Sequence, residues 1–141
     1  MYKIESDTFS LEFEPDIHKD DLAFKVNTSL RIKVVSDGFS ADSFMDIDIK
    51  DLSCFAAQLH GLYESLEGSA RLEEPYSVHN YIEFSAMGGG HIAVRGRINN
   101  KNAYGRTQEL TFENGIDQTY LQGFTKKLFA DYCGNTAGDL L

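Results

Sequence analysis

Twice along this chain the spacing of apolar residues switches from every second position to every third or fourth. A strand turns successive side chains to opposite faces and a helix returns to one face every 3.6 residues, so each switch marks a change of backbone geometry. The first alternating run sets Phe9, Leu11 and Phe13 against Ser10, Glu12 and Glu14. A polar connection, residues 15–21, leads to a second run through Phe24, Val26, Leu30, Ile32 and Val34, with Lys25, Arg31 and Lys33 opposite. Ser36-Asp37-Gly38 breaks it as a hairpin turn does. A third run, from Phe39 to about Ile49, puts Met45, Ile47 and Ile49 on one face and Asp42, Asp46 and Asp48 on the other.

The period then lengthens. Leu52, Phe55, Ala56, Leu59, Leu62, Tyr63 and Leu66 form one stripe of a helix over about 51–66, with Asp51 as the expected N-cap and Gly68 as the stop. Gly61 inside it costs about 1 kcal/mol relative to alanine, a cost that close packing would explain. Alternation returns in Ser69–Glu73, in Val78, Ile82 and Phe84, and, past Met87-Gly88-Gly89-Gly90, in Ile92, Val94 and Ile98. A turn at Asn99–Asn102, a strand near Arg106–Phe112 with Leu110 and Phe112 inward, and a break at Asn114-Gly115 follow. A second helix is expected over 118–132, capped by Asp117, with Tyr120, Leu121, Phe124, Leu128 and Tyr132 on one face. The tail, GNTAGDLL (134–141), is expected to fray. Hairpins, helix, hairpins, helix is the order of an α+β domain. The expectation is one domain over 1–141, a mostly antiparallel sheet of about six to seven strands with both helices packed on one face, and no internal repeat in the sequence.

At 141 residues the chain suits one core. Its 13 basic and 22 acidic residues leave a formal charge of −9. Residues 1–50 carry six bases against eleven acids, hence most of the excess. That balance repels nucleic acid and anionic lipid; it permits a basic protein partner without requiring one. No run approaches the roughly 20 apolar residues of a membrane span, and MYKIESDTFSLEFEP lacks the basic start and apolar run of a signal peptide. Cys54 and Cys133 are too few for a disulfide framework, which makes a reduced, cytosolic setting the default.

Chemistry-bearing motifs are sparse. His18, His60, His79 and His91 include no H-E-x-x-H pair; His60 and Glu64 stand one helical turn apart, as ordinary surface pairs do. The glycine cluster at 88–90 is followed by a strand pattern, whereas a phosphate cradle needs a helix N-terminus there. Asp42, Asp46 and Asp48 could face a hard cation, but the run lacks the glycine-centred loop of such sites and reads more simply as a solvated strand face. Arg95-Gly96-Arg97 is a small basic spot without aromatic interleaving. Cys54 has no neighbouring base, and no G-x-S-x-G occurs. The sequence therefore assigns no catalytic residue, no cofactor and no metal.

Gly38-Phe39-Ser40-Ala41, DLSCFAAQLHGLYESLEGSARLE (51–73), GGGHIAVRGRI (88–98) and LTFENGIDQTYLQGFTKKL (110–128) together resemble the WapI-like immunity proteins of bacterial polymorphic-toxin systems. The resemblance covers roughly 38–128. It implies a cytosolic antidote without catalytic residues that binds the toxin domain of a secreted protein, in the namesake system a nuclease acting on transfer RNA. A basic nuclease cleft would be met by carboxylates. The candidates are Asp42, Asp46 and Asp48 with Asp16, Asp20 and Asp21 in the adjoining loop, and secondarily Glu64 and Glu67 at the helix end. The alternative is a small enzyme or small-molecule-binding domain with a pocket between sheet and helices.

Overall fold

The computed structural model describes residues 1–75 and 79–133. Four antiparallel strands come first: β1 (Tyr2–Glu5), β2 (Phe9–Ile17), β3 (Thr28–Ser36) and β4 (Phe39–Ile47), with a 3₁₀ turn at Lys19–Asp21 between β2 and β3. Helix α1 (Ile49–Ser65) follows. The order then repeats: β5 (Ser69–Glu73), β6 (Tyr81–Gly88), β7 (His91–Lys101), β8 (Thr107–Asp117) and α2 (Gln118–Cys133). Strands pair only with their sequence neighbours, in two meanders ordered β1-β2-β3-β4 (sheet A) and β5-β6-β7-β8 (sheet B). The α+β class stands as expected, with eight strands in two sheets rather than six or seven in one. The repetition is architectural, with no counterpart in residue identity.

The helices lie against each other, and each also crosses to the other half, α1 touching β5 and α2 touching β1. One buried apolar cluster unites both sheets and both helices. At its centre Phe13 of β2 meets Phe55 of α1 and Phe124 of α2 at ring-centroid distances of 6.0 and 5.4 Å, and Phe84 of β6 meets the same two rings at 5.9 and 6.2 Å. Phe55 and Phe124 are each the seventh residue of their helix. The space between sheets and helices, where a small-molecule pocket was the alternative, is occupied there by these rings.

Several boundaries shift, each for a tertiary reason. Phe24 and Val26 do not belong to β3; they are 64% and 38% exposed. The loop before β3 closes instead on the fully buried Asn27. Its Nδ2 donates to the carbonyls of Phe24 (2.9 Å) and Leu22 (3.5 Å) and to Asp48 (3.2 Å), while its Oδ1 accepts from the Thr28 hydroxyl (2.9 Å) and the Ile49 N–H (2.8 Å). Helix α1 starts at Ile49, so Asp48 rather than Asp51 is the N-cap: Asp48 Oδ1 accepts from the Lys50 N–H at 3.0 Å, and Asp51 returns the bond by accepting from the Asp48 N–H at 3.2 Å. Ile49 fits the strand parity of Met45 and Ile47 and equally the helical step to Leu52, which is why spacing alone misplaced the boundary. The helix ends at Leu66 in the left-handed region. An added Cβ at Gly61 would meet no atom within 4 Å, so close packing is not the reason for that glycine.

Asn99 continues β7 instead of turning, because its backbone N–H donates to Asn80 Oδ1 (2.7 Å) and its carbonyl accepts from the Ser43 hydroxyl (2.6 Å). The turn falls at 102–105, with Asn102 Oδ1 accepting from the N–H groups of Tyr104 and Arg106. Asn114-Gly115 lies inside β8, opposite Val94 and Ala93. On α2, Tyr120 is 45% exposed and off the buried face, whereas Leu121, Phe124, Leu128 and Tyr132 are buried. Val78 and the tail 134–141 lie outside the described residues. No described helix is long and apolar enough to cross a membrane.

Candidate protein-interaction surface

Strand register decides which candidate carboxylates meet. Asp16, Ser29 and Asp46 pair in succession across β2, β3 and β4, so they share one row on the outer face of sheet A. The Ser29 hydroxyl donates to Asp46 at 3.4 Å. The 3₁₀ turn carrying the exposed Asp20 and Asp21 begins two residues beyond the end of β2, at the same end of the sheet. Among the described residues no lysine or arginine pairs with Asp16, Asp20, Asp21 or Asp46; only His18 comes within 4.0 Å of Asp16.

Asp42 lies on the same face two rows away, opposite Lys33. Arg31 grips it with both prongs, Nε to Oδ1 at 3.2 Å and Nη2 to Oδ2 at 2.8 Å, and these bonds hold its carboxyl below the usual aspartate range. Its charge is therefore already partnered. Asp48 is drawn out of the strand face by its capping role. Glu64 and Glu67 do not join the others: sixteen residues of helix separate Asp48 from Glu64, roughly 24 Å along the axis. His60 Nε2 sits 3.7 Å from Glu64 while its ring stacks on Phe129 of α2 at 4.0 Å, a packing contact between the helices.

The outer face of sheet B differs. Arg71, Glu83, Arg95 and Glu113 pair in one row, with Glu83 held by both arginines. Burial pushes the Glu83 acid up, but the bonds from Arg95 and Arg71 bring it below the ordinary range. An aromatic does interleave the basic spot, contrary to the sequence reading: Tyr81 lies under Arg71 at 4.0 Å, with Arg97 at 5.7 Å. Glu73 and Glu83 nonetheless offset the arginine charge locally. Among the described residues no group of three or more His, Cys, Asp or Glu could hold a metal ion. Cys133 donates to the Ser53 carbonyl at 3.2 Å, and burial pushes its thiol up, the reverse of an activated thiolate.

Two features had no signal in the sequence. One is a buried polar seam joining the sheets, where Asn80 Nδ2 donates to the Phe44 carbonyl (3.1 Å) and Glu74, 1% exposed, accepts from the Asp46 N–H (3.2 Å). The other is an open hollow of about 420 Å³ between β4 and β8, beside the 68%-exposed Phe39.

The fold is thus an α+β domain with aromatic rings meeting between sheets and helices and with Asp16 and Asp46 in one row on the outer face of sheet A. The chain belongs to the Immunity protein WapI-like family, whose model matches residues 4–132. The match reaches further toward the N-terminus than the residues that carried the resemblance, taking in β2, β3 and the end of β1. Comparisons with curated proteins and with solved structures returned no match. The role of the family is toxin neutralisation.

Proposed function

We propose that this protein is a cytoplasmic antidote that binds a basic cognate toxin domain, a nuclease by the chemistry its charge suits, through the acidic end of sheet A. The observation that carries the reading is the gathering of Asp16, Asp20, Asp21 and Asp46, without a lysine or arginine partner, at one end of a sheet face. An enzyme that holds a polyanion needs a cationic cleft; an acidic partner is steered into it, with on-rates raised by 10–10³ at low salt, and then excludes the substrate. Asp42 flanks the patch with its charge shared with Arg31, and Asp48 contributes through the helix it caps. Glu64 and Glu67 form a separate, secondary patch. No direct contact with nucleic acid or membrane is part of the reading.

Co-expression with a cognate toxin domain, sought in the neighbouring reading frame, should restore growth, and continued killing would overturn the role. Converting Asp16, Asp20, Asp21 and Asp46 to asparagine should slow association at low salt by about tenfold or more and flatten its salt dependence. An unchanged association rate would remove the patch assignment while leaving the antidote role intact.

A further inference from the structure

β4 and β8 are the last strands of their sheets, so each has one strand neighbour and one free side. They run side by side without pairing. Side chains bolt the two sheets together at two levels, β8 to the end of β3 and the turns beside it at one, and β4 to β7 at the other. At one level Asn114 of β8 donates to the Thr8 carbonyl (3.3 Å), the Ser36 hydroxyl (3.0 Å) and Asp37 (3.3 Å), while the Asp37 N–H donates to the Thr8 carbonyl at 2.8 Å. At the other, Asn100 donates to the Asp42 carbonyl (3.0 Å) and Ser43 to the Asn99 carbonyl (2.6 Å). Between the bolts no backbone hydrogen bond joins the two strands among the described residues.

The result is a slot propped open, with Phe39 shared by two adjoining hollows of about 420 and 230 Å³. Phe39, Ala41, Ile98 and Leu110 supply the apolar part of its lining, interleaved with the polar Ser40, Asn100 and Gln108. Asp42, its charge shared with Arg31, and Glu109 line one hollow, Asp37 and Glu113 the other, and among the described residues no lysine or arginine lines either. An aromatic ring 68% exposed beside Ala41, Ile98 and Leu110, inside a frame held by hydrogen bonds, is a preorganised anchor position. The carboxylates of Asp37, Glu109 and Glu113 repel polyanions and anionic lipid.

We infer that this slot receives a segment of the partner protein in which an apolar side chain is flanked by lysine or arginine, the apolar group packing on Phe39 and Leu110 and the bases meeting Glu109 and Glu113. This inference rests on the antidote reading and names where specificity resides: the carboxylates at the far end of sheet A steer, and the slot holds.

The test has two arms. In the first, binding to the neighbouring toxin domain is measured for the wild type, Phe39→Lys, the double variant Glu109→Lys/Glu113→Lys, and the asparagine variant of the steering patch. Both slot variants change exposed side chains, so folding is preserved. They should weaken Kd by at least about tenfold, mainly through faster dissociation, whereas the patch variant should act on association. Equal binding by wild type and slot variants overturns the slot and leaves the antidote role standing. In the second arm, amide shifts are followed on adding a short peptide alternating lysine and isoleucine, and a control alternating lysine and glycine. Shifts clustered at residues 39–42 and 108–113, lost in Phe39→Lys and absent with the control, support the slot. Shifts that follow peptide charge alone overturn it. Should the toxin domain not bind the wild type, the antidote role falls, and the peptide arm decides the slot by itself.

Discussion

Asp48 sits where a structural and a functional role compete, and a pair of substitutions separates them. Asp48→Ala removes the cap of α1, worth about 1 kcal/mol and at most about 2. It also removes a negative charge from the helix N-terminus, worth about 0.3–1 kcal/mol. The bond from Asn27 Nδ2 is lost too, but Asn27 keeps the Phe24 and Leu22 carbonyls as acceptors, so this loss adds only about 0.5–1 kcal/mol. The total is about 2–3 kcal/mol. With a urea slope near 2 kcal/mol/M, the unfolding midpoint followed by far-UV circular dichroism should fall by roughly 1 M. Asp48→Asn keeps the capping oxygen and loses the charge alone, so its midpoint should move by less than about half as much. An Asp48→Ala midpoint within experimental error of the wild type, or an Asp48→Asn loss equal to the alanine loss, would refute the capping argument. The same pair reads function: if Asp48 acts only through the helix, Asp48→Asn binds the toxin domain as the wild type does.

Asn27→Ala should cost more, about 3 kcal/mol or above, because the Ile49 N–H and the Thr28 hydroxyl lose their acceptor inside the protein; a loss under about 1 kcal/mol in urea unfolding would show that the loop repacks without it. Two glycines should move in opposite directions. Gly61→Ala, with open space around the added methyl, should stabilise by about 0.5–1 kcal/mol, whereas a Cβ at Gly96 would lie 2.5 Å from the Tyr81 carbonyl and 2.9 Å from the Phe112 ring, and Gly96→Ala should destabilise by about 1–3 kcal/mol. Thermal unfolding of the two variants tests this contrast directly. Asp42 and Glu83 titrate below their ordinary range in the folded protein, so the stability they contribute is complete above their unfolded pKa values and is lost as pH falls through the lowered ones. Stability should therefore decline below about pH 4, and Glu83→Gln should lower the plateau near neutrality and flatten the decline; an unchanged acid limb in that variant would remove the assignment.

The periods of apolar residues were enough to establish the α+β class, the hairpins and both helices, because a residue's face depends only on local backbone geometry. The stripes Leu52–Leu62 and Leu121–Tyr132 and the alternation of Leu30, Ile32 and Val34 could be read directly. The acidic excess of the first 50 residues was legible too, and so was the adjacency of Asp16 to the Asp20/Asp21 loop. What tertiary structure decided was the use made of polar residues that form turns by default. Asn27, Asn99 and Asn114 each also bond a group 21, 19 or 106 residues away, partners that local spacing does not reveal. Strand register likewise brought Arg31 to Asp42, and the start of α1 at Ile49 made Asp48 a cap rather than a member of the strand face. The slot beside Phe39 belongs wholly to this second kind of information. Its walls come from opposite halves of the chain, framed by the side-chain bonds that tie sheet A to sheet B.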